Sequence, residues 1–313
     1  MKIKSFLGLV EIRTKLASII PFSVGSIYAF DRFHTFNTRN FIFLFISMIS
    51  FDMVTTALNN YFDFKRSFKK EGYNYEKHNT IVEDSLSETS VIGVTAFLLA
   101  MAVAFGILLY LNTGLLLLLA GMLSFGVGIL YSFGPVPISR TPLGEVLSGF
   151  FMGFVITFLS VYVHIFNLNI VSIDFKGYTF DLHIQLAEVT GIFLLSIPVM
   201  CCIANIMLAN NICDIDDDIE NRRYTLPVYI GREKALVLFK ALYIAAYLDI
   251  IILVISGLLP PVCLISLATY IPVNKNTALF LKQRTKKDTF AISVRNFMLI
   301  GLSLSITFGV SLF

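Results

Sequence analysis

The sequence predicts an all-α integral membrane protein, a bundle of nine membrane-crossing helices. Three observations predict it. The 313 residues are 56% hydrophobic, with a mean hydropathy of +0.79. Only 14% are charged, against about 25% in soluble domains. Long apolar runs alternate with short charged segments, the pattern of a chain that crosses a bilayer repeatedly.

The nine expected spans run over Leu16–Phe30, Phe41–Asn59, Val91–Leu111, Gly114–Ser132, Leu143–Phe166, Leu186–Asn210, Ala235–Ile255, Leu258–Pro272 and Phe290–Phe313. The first is short and is expected to extend back through Arg13 and Lys15, whose long side chains can snorkel towards water. The eighth is interrupted near its start by Pro260 and Pro261. No loop is long enough for a separate folded domain. Residues 1–313 therefore read as a single polytopic domain with two related halves, each carrying a long charged loop after an Asn/Asp cluster. The N-terminal apolar stretch is broken by Glu11, Arg13 and Lys15 and does not read as a signal peptide. Cys201, Cys202, Cys213 and Cys263 lie in or beside apolar runs without paired zinc spacing, and the four histidines form no ligand pattern.

Charge sets the expected orientation. With the N-terminus in the cytoplasm, Arg32, Arg39 and Lys176 fall outside and the other 21 of the 24 Lys and Arg fall inside. Both Asn/Asp clusters are then cytoplasmic, and the C-terminus lies on the opposite side. Membrane lipid is an expected partner, and nucleic acid is not.

The clusters are Asn59-Asn60-Tyr61-Phe62-Asp63 and Asn210-Asn211-Ile212-Cys213-Asp214-Ile215-Asp216-Asp217-Asp218. Carboxylates at the end of a membrane helix are expensive to bury and call for a function. On a helix, Asn59 and Asp63 share a face, as do Asn211, Asp214 and Asp218, while Asp216 points away. Hard oxygen ligands suit magnesium, which is commonly completed by substrate phosphates. Two such stripes facing each other would clamp a diphosphate through Asn59, Asp63, Asn211, Asp214 and Asp218. Lys65, Arg66, Arg140, Arg222 and Arg223 would neutralise the remaining phosphate charge. The apolar surroundings imply that the diphosphate carries a lipid tail.

The stretch from Asn210 to Gly231, with its NN-x-x-DxDxD and following Thr225-Leu226-Pro227-Val228-Tyr229-Ile230-Gly231, resembles the second aspartate motif of the UbiA-type prenyltransferase superfamily, and within it the menaquinone branch. Asn59 to Asp63 resembles that branch's first motif, N-D-Y-x-D. Tyr131-Ser132-Phe133-Gly134-Pro135-Val136-Pro137 with Leu143-Gly144-Glu145 resembles its fourth-helix loop. Asn60 stands where the branch usually has an aspartate. The first motif's later acid is missing, with Glu71 or the Glu83-Asp84 pair as candidate substitutes. Glu11-Ile12-Arg13-Thr14-Lys15 replaces the usual Arg-Pro start of the first helix.

The resemblance implies a nine-helix fold with a cytoplasmic-side cavity. It implies magnesium-dependent transfer of a polyprenyl group from an allylic polyprenyl diphosphate to an aromatic acceptor, in this branch 1,4-dihydroxy-2-naphthoate. Asp63, Asp214 and Asp218 would be catalytic, with Tyr131 stabilising the allylic cation. Another acceptor on the same fold, such as 4-hydroxybenzoate or haem, is the nearest alternative. A cation-coupled transporter is the alternative of a different class, and it predicts acids near mid-span.

Overall fold

The computed structural model describes residues 1–66, 80–286 and 289–313, and leaves the side chains of Asp63, Arg66 and residues 174–176 outside the described set. Lys69, Lys70, Glu71, Lys77 and Lys287 therefore also lie outside the described residues, and with them one candidate substitute for the later acid.

Among the described residues, seven helices are long and apolar enough to cross a membrane: Thr38–Phe62, Glu88–Thr113, Leu115–Ser132, Gly144–Leu168, Leu186–Cys213, Arg232–Ile255 and Ala291–Val310. They correspond to seven of the nine expected spans, with boundaries moved by a few residues. The other two differ from the expectation for local reasons. The first is an 18-residue helix, Leu16–Phe33, with Pro21 inside it and Arg32 in its last turn. The eighth opens as a 3₁₀ helix, Pro261–Thr269, and becomes α-helical only over Tyr270–Lys282. Pro260 stands at the cap and Pro261 at the first helical position, where their missing N–H groups cost nothing, and together they set where this segment starts.

The all-α expectation also needs correction. Val171–Lys176 and Thr179–Ile184 form an antiparallel hairpin between two spans, registered from Val171↔Ile184 to Lys176↔Thr179. Gly177, with φ +64°, supplies the left-handed backbone at the first turn position, as a tight two-residue hairpin loop requires. Period-two alternation in Thr179-Phe180-Asp181-Leu182-His183-Ile184 is the local reason for a strand.

The chain divides into two compact units. The first contains Met1–Ser18 and Thr38–Pro137. Its backbone is the helix Thr38–Arg66, which packs on Glu88–Thr113 and Leu115–Ser132. This helix continues past Asn59, where the span was expected to end, so Asn59 to Asp63 sit within helix rather than in a loop. Leu9, Ala57, Ile81 and Val91 form one buried cluster there, and Val10, Val54 and Leu98 another. Gly128 lies so close to Phe51 that an added Cβ would sit 2.7 Å from the ring, and Phe51 stacks on Phe125 at 3.9 Å.

The expected snorkelling of Lys15 does not occur. The side chain is 1% exposed. Glu11, at φ +47°, breaks the chain between the short helix Ile3–Leu9 and a 3₁₀ turn over Ile12–Lys15. That turn directs Lys15 inward. Its Nζ donates to Asp52 Oδ1 at 2.6 Å, to the Asp52 carbonyl at 3.1 Å and to Thr56 Oγ1 at 2.6 Å, while Ser18 Oγ donates to Asp52 Oδ2. A charge with all its donors satisfied by a carboxylate, a carbonyl and a hydroxyl can stay inside an apolar bundle.

The second unit contains Ile19–Asn37 and Ile138–Phe313. Its most buried span, Leu186–Cys213, packs against Gly144–Leu168, Arg232–Ile255 and Ala291–Val310. Small residues permit this packing. Gly149 and Gly153 lie on Met200, and a Cβ at Gly153 would fall 2.5 Å from its Cγ. The chain over Gly149–Val155 is wound as a π-helix, a local widening of the ladder within the span.

Candidate active site

The second Asn/Asp cluster lies where Leu186–Cys213 ends. The helix does not run on through the cluster, as the shared-face reading assumed. Asp214, at φ −102° and ψ 8°, caps it and opens the short helix Ile215–Glu220. The break still buries Asn211, Asp214 and Asp218 and leaves Asp216 and Asp217 exposed. Asp216 points away as expected and pairs with Arg232 at 2.9 Å.

Each buried member has a distinct partner. Asn211 Nδ2 donates to Glu145 Oε1 at 2.8 Å. Asp214 Oδ2 accepts from Lys286 Nζ at 2.6 Å. Asp218 Oδ2 accepts from Thr225 Oγ1 at 2.9 Å, and its Oδ1 lies 3.3 Å from Arg223 Nε. That last contact is an ion pair without hydrogen-bond alignment, since Nε has no aligned acceptor. The backbone holds Arg223 in place, its N–H donating to the Asp218 carbonyl at 2.7 Å. Arg222 turns the chain before it with a left-handed φ of +53° and is exposed. Arg140 joins this region through its carbonyl, which accepts from the Tyr224 N–H at 3.1 Å.

Burial pushes the Asp218 carboxyl above the ordinary carboxylate range, and the neighbouring Asp214 charge adds to the rise. Arg223 and the Thr225 hydrogen bond oppose it. Lys286 opposes it as well. Three buried carboxylates, Asp214, Asp218 and Glu145, share two cations, Lys286 and Arg223. Glu145 is 3% exposed, and its Oε2 has no hydrogen-bond partner. A buried carboxylate oxygen without a donor is costly unless a ligand completes it.

The first cluster lies in the first unit. Asn59 is exposed on the helix Thr38–Arg66, and Asp63 follows one turn later. Asn60, the departure from the usual aspartate, is buried; its Nδ2 donates to the Leu9 carbonyl at 3.0 Å and to Glu11 Oε1 at 3.3 Å. Lys65 is exposed, pairs with Glu88 at 2.8 Å and lies 5.7 Å over the Tyr61 ring. Tyr131 is half-buried in the last turn of Leu115–Ser132.

Sequence reasoning missed Lys286 as a partner of the second motif and gave Glu145 no role. Lys286 lies 72 residues from Asp214, so spacing carries no signal for it. It also missed two carboxylates inside spans, Asp52 and the buried Asp249. An acidic residue in an apolar run was the available signal for both.

Among the described residues, no three His, Cys, Asp or Glu side chains converge as a ready metal site. Asn211, Asp214, Asp218 and the uncompleted Glu145 are nevertheless all hard oxygen donors, so their chemistry fits magnesium.

The model of the UbiA prenyltransferase family matches residues 18–301. The 1,4-dihydroxy-2-naphthoate octaprenyltransferase of Bacillus subtilis (strain 168) is 28% identical over 252 residues, which cover 79% of this chain and 73% of that protein. A UbiA homologue from Aeropyrum pernix K1, solved in its apo form, aligns with a TM-score of 0.68 at 19% identity over 98% of both chains. A UbiA homologue from Archaeoglobus fulgidus, solved bound to GPP and Mg2+, aligns at 0.51 and 15% identity over 98% of this chain and 87% of that one. These matches leave no place for the transporter alternative: the chain belongs to the UbiA prenyltransferase family and is a multi-pass membrane prenyltransferase.

Proposed function

We propose that this enzyme transfers a polyprenyl group from an allylic polyprenyl diphosphate to 1,4-dihydroxy-2-naphthoate, with magnesium, in menaquinone or demethylmenaquinone biosynthesis. The observation that carries the reading is the buried Asn211–Asp214–Asp218 cluster with the uncompleted Glu145 beside it, in a chain whose Bacillus subtilis relative bears that activity's name. Residues 1–313 act as one prenyltransferase domain, with nine membrane segments and the active-site loops and N-terminus in the cytoplasm.

Asn59, Asp63, Asn211, Asp214 and Asp218 would hold magnesium, which would neutralise the diphosphate. Lys65, Arg66, Arg140, Arg222 and Arg223 hold phosphate oxygens that gain charge as the allylic C–O bond breaks. The apolar spans exclude water from the resulting cation, and the Tyr131 ring stabilises it. The acceptor's ring carbon then attacks. Loss of its carboxylate as carbon dioxide restores aromaticity, so prenylated quinol, carbon dioxide and diphosphate leave.

Purified protein in liposomes, given polyprenyl diphosphate, magnesium and either dihydroxynaphthoate or 4-hydroxybenzoate, tests the reading by mass spectrometry of products. Magnesium-dependent product from dihydroxynaphthoate alone is expected. Product only from 4-hydroxybenzoate would move the acceptor assignment.

A further inference from the structure

The Asp214–Lys286 contact joins two unequal partners. Asp214 is nearly enclosed, with its side chain 11% exposed, while that of Lys286 is 56% exposed. On either side of Lys286, Thr289 N–H and Oγ1 both donate to the Thr285 carbonyl, at 3.0 and 3.1 Å, and the Thr285 N–H donates back to Thr289 Oγ1 at 3.0 Å. Thr289 is itself buried. Asp214 is held by its backbone, its N–H donating to the Asn210 carbonyl at 3.2 Å and its carbonyl accepting from the Asp218 N–H at 2.7 Å. One short contact thus joins the two segments, and the lysine arm is its exposed partner.

Resting on the proposed function, we propose that Lys286 is a placeholder cation: it occupies Asp214 Oδ2 until magnesium and diphosphate arrive together, then transfers to a phosphate oxygen. A hard dication held by Asp214 would take the carboxylate oxygen that Lys286 now occupies. The ammonium at 2.6 Å from that oxygen competes for the same lone pairs and repels the incoming charge. Metal alone must displace Lys286 into water. Metal carrying a diphosphate displaces it onto an anion, where the ammonium gains a charge-assisted hydrogen bond. Lys286 therefore couples the two binding events, and each ligand raises affinity for the other by the same factor.

The test is calorimetric titration of the full chain in nanodiscs with Mn2+, with and without inorganic pyrophosphate as probe. In the wild type, pyrophosphate should tighten Mn2+ binding by about tenfold or more, within the usual range of coupled sites. Lys286→Met should tighten Mn2+ binding without pyrophosphate, weaken pyrophosphate binding and collapse the coupling. Lys286→Arg should preserve the coupling. Unchanged Mn2+ and pyrophosphate affinities in Lys286→Met, with or without a lower Tm, would overturn the placeholder and leave the prenyl-transfer reading standing. Absence of Mn2+ binding to the wild type in both conditions would overturn both.

Discussion

Lys15–Asp52 and Lys286–Asp214 are both ammonium–carboxylate contacts of 2.6 Å, yet they are built for different ends. In the first, the lysine is the enclosed partner, and Thr56, Ser18 and the Asp52 carbonyl complete the polar groups around it. In the second, the carboxylate is enclosed, the lysine reaches water, and Asp218 and the uncompleted Glu145 stand nearby. A closed network can only hold the structure together. An open one, with carboxylates in excess of their cations, is ready to take a cation. Enclosure and completion of partners, rather than distance, separate the structural pair from the functional one.

The comparison breaks most visibly at the second motif. Asp214→Asn and Asp218→Asn should each lower turnover at least ~100-fold, the scale of losing one charge-stabilising group, while thermal unfolding in detergent stays near wild type. Next in size is the closed pair. Lys15→Met leaves Asp52 buried without its cation and should cost about 3 kcal/mol of stability, read as a lowered Tm. Lys15→Met with Asp52→Leu should recover most of that loss. Third, Asn60→Asp replaces two donated hydrogen bonds with a carboxylate facing Glu11, and should cost roughly 2 kcal/mol. Adding Glu11→Gln should restore part of the Tm. Glu145→Gln should be smaller, lowering turnover about tenfold, one charge contribution's worth, without lowering Tm, because the Oε1 that accepts from Asn211 is kept.

The smallest effect is on pH dependence. Burial raises the Asp218 carboxyl in the folded protein. The folded state therefore holds its proton at pH values where the unfolded chain has released it, and ligand-free stability falls as pH rises through the raised value. Turnover needs the ionised carboxylate and rises over the same window, between the ordinary carboxylate value and the raised one. Tm and kcat/KM should thus run in opposite directions there. Asp218→Asn should remove the slope in Tm.

Much of this was legible in the sequence, and what was not has physical causes. Seven spans followed from apolar length, because a bilayer leaves helices little alternative. The two weaker spans carry Pro21 and Pro260-Pro261, whose effect on geometry depends on packing. The hairpin's period-two alternation was readable, but it is short and flanked by long helical runs. The second motif stood out because Asp214 to Asp218 are consecutive charges at a span's end. Lys286 and Glu145 did not, because a partner brought in by tertiary packing leaves no spacing to read. Lys15 had two physically sound outcomes, snorkelling outward or pairing inward. Asp52, one of the acids inside an apolar run, decided between them.

The central claim is that the open network at Asp214 is catalytic and the closed one at Asp52 is structural. Magnesium-dependent prenylation of dihydroxynaphthoate, measured side by side for wild type, Asp214→Asn and the Lys15→Met/Asp52→Leu double variant at matched folded fractions, tests it most directly. Product from the wild type and the double variant, with almost none from Asp214→Asn, is the predicted result. Near-normal turnover by Asp214→Asn would contradict it.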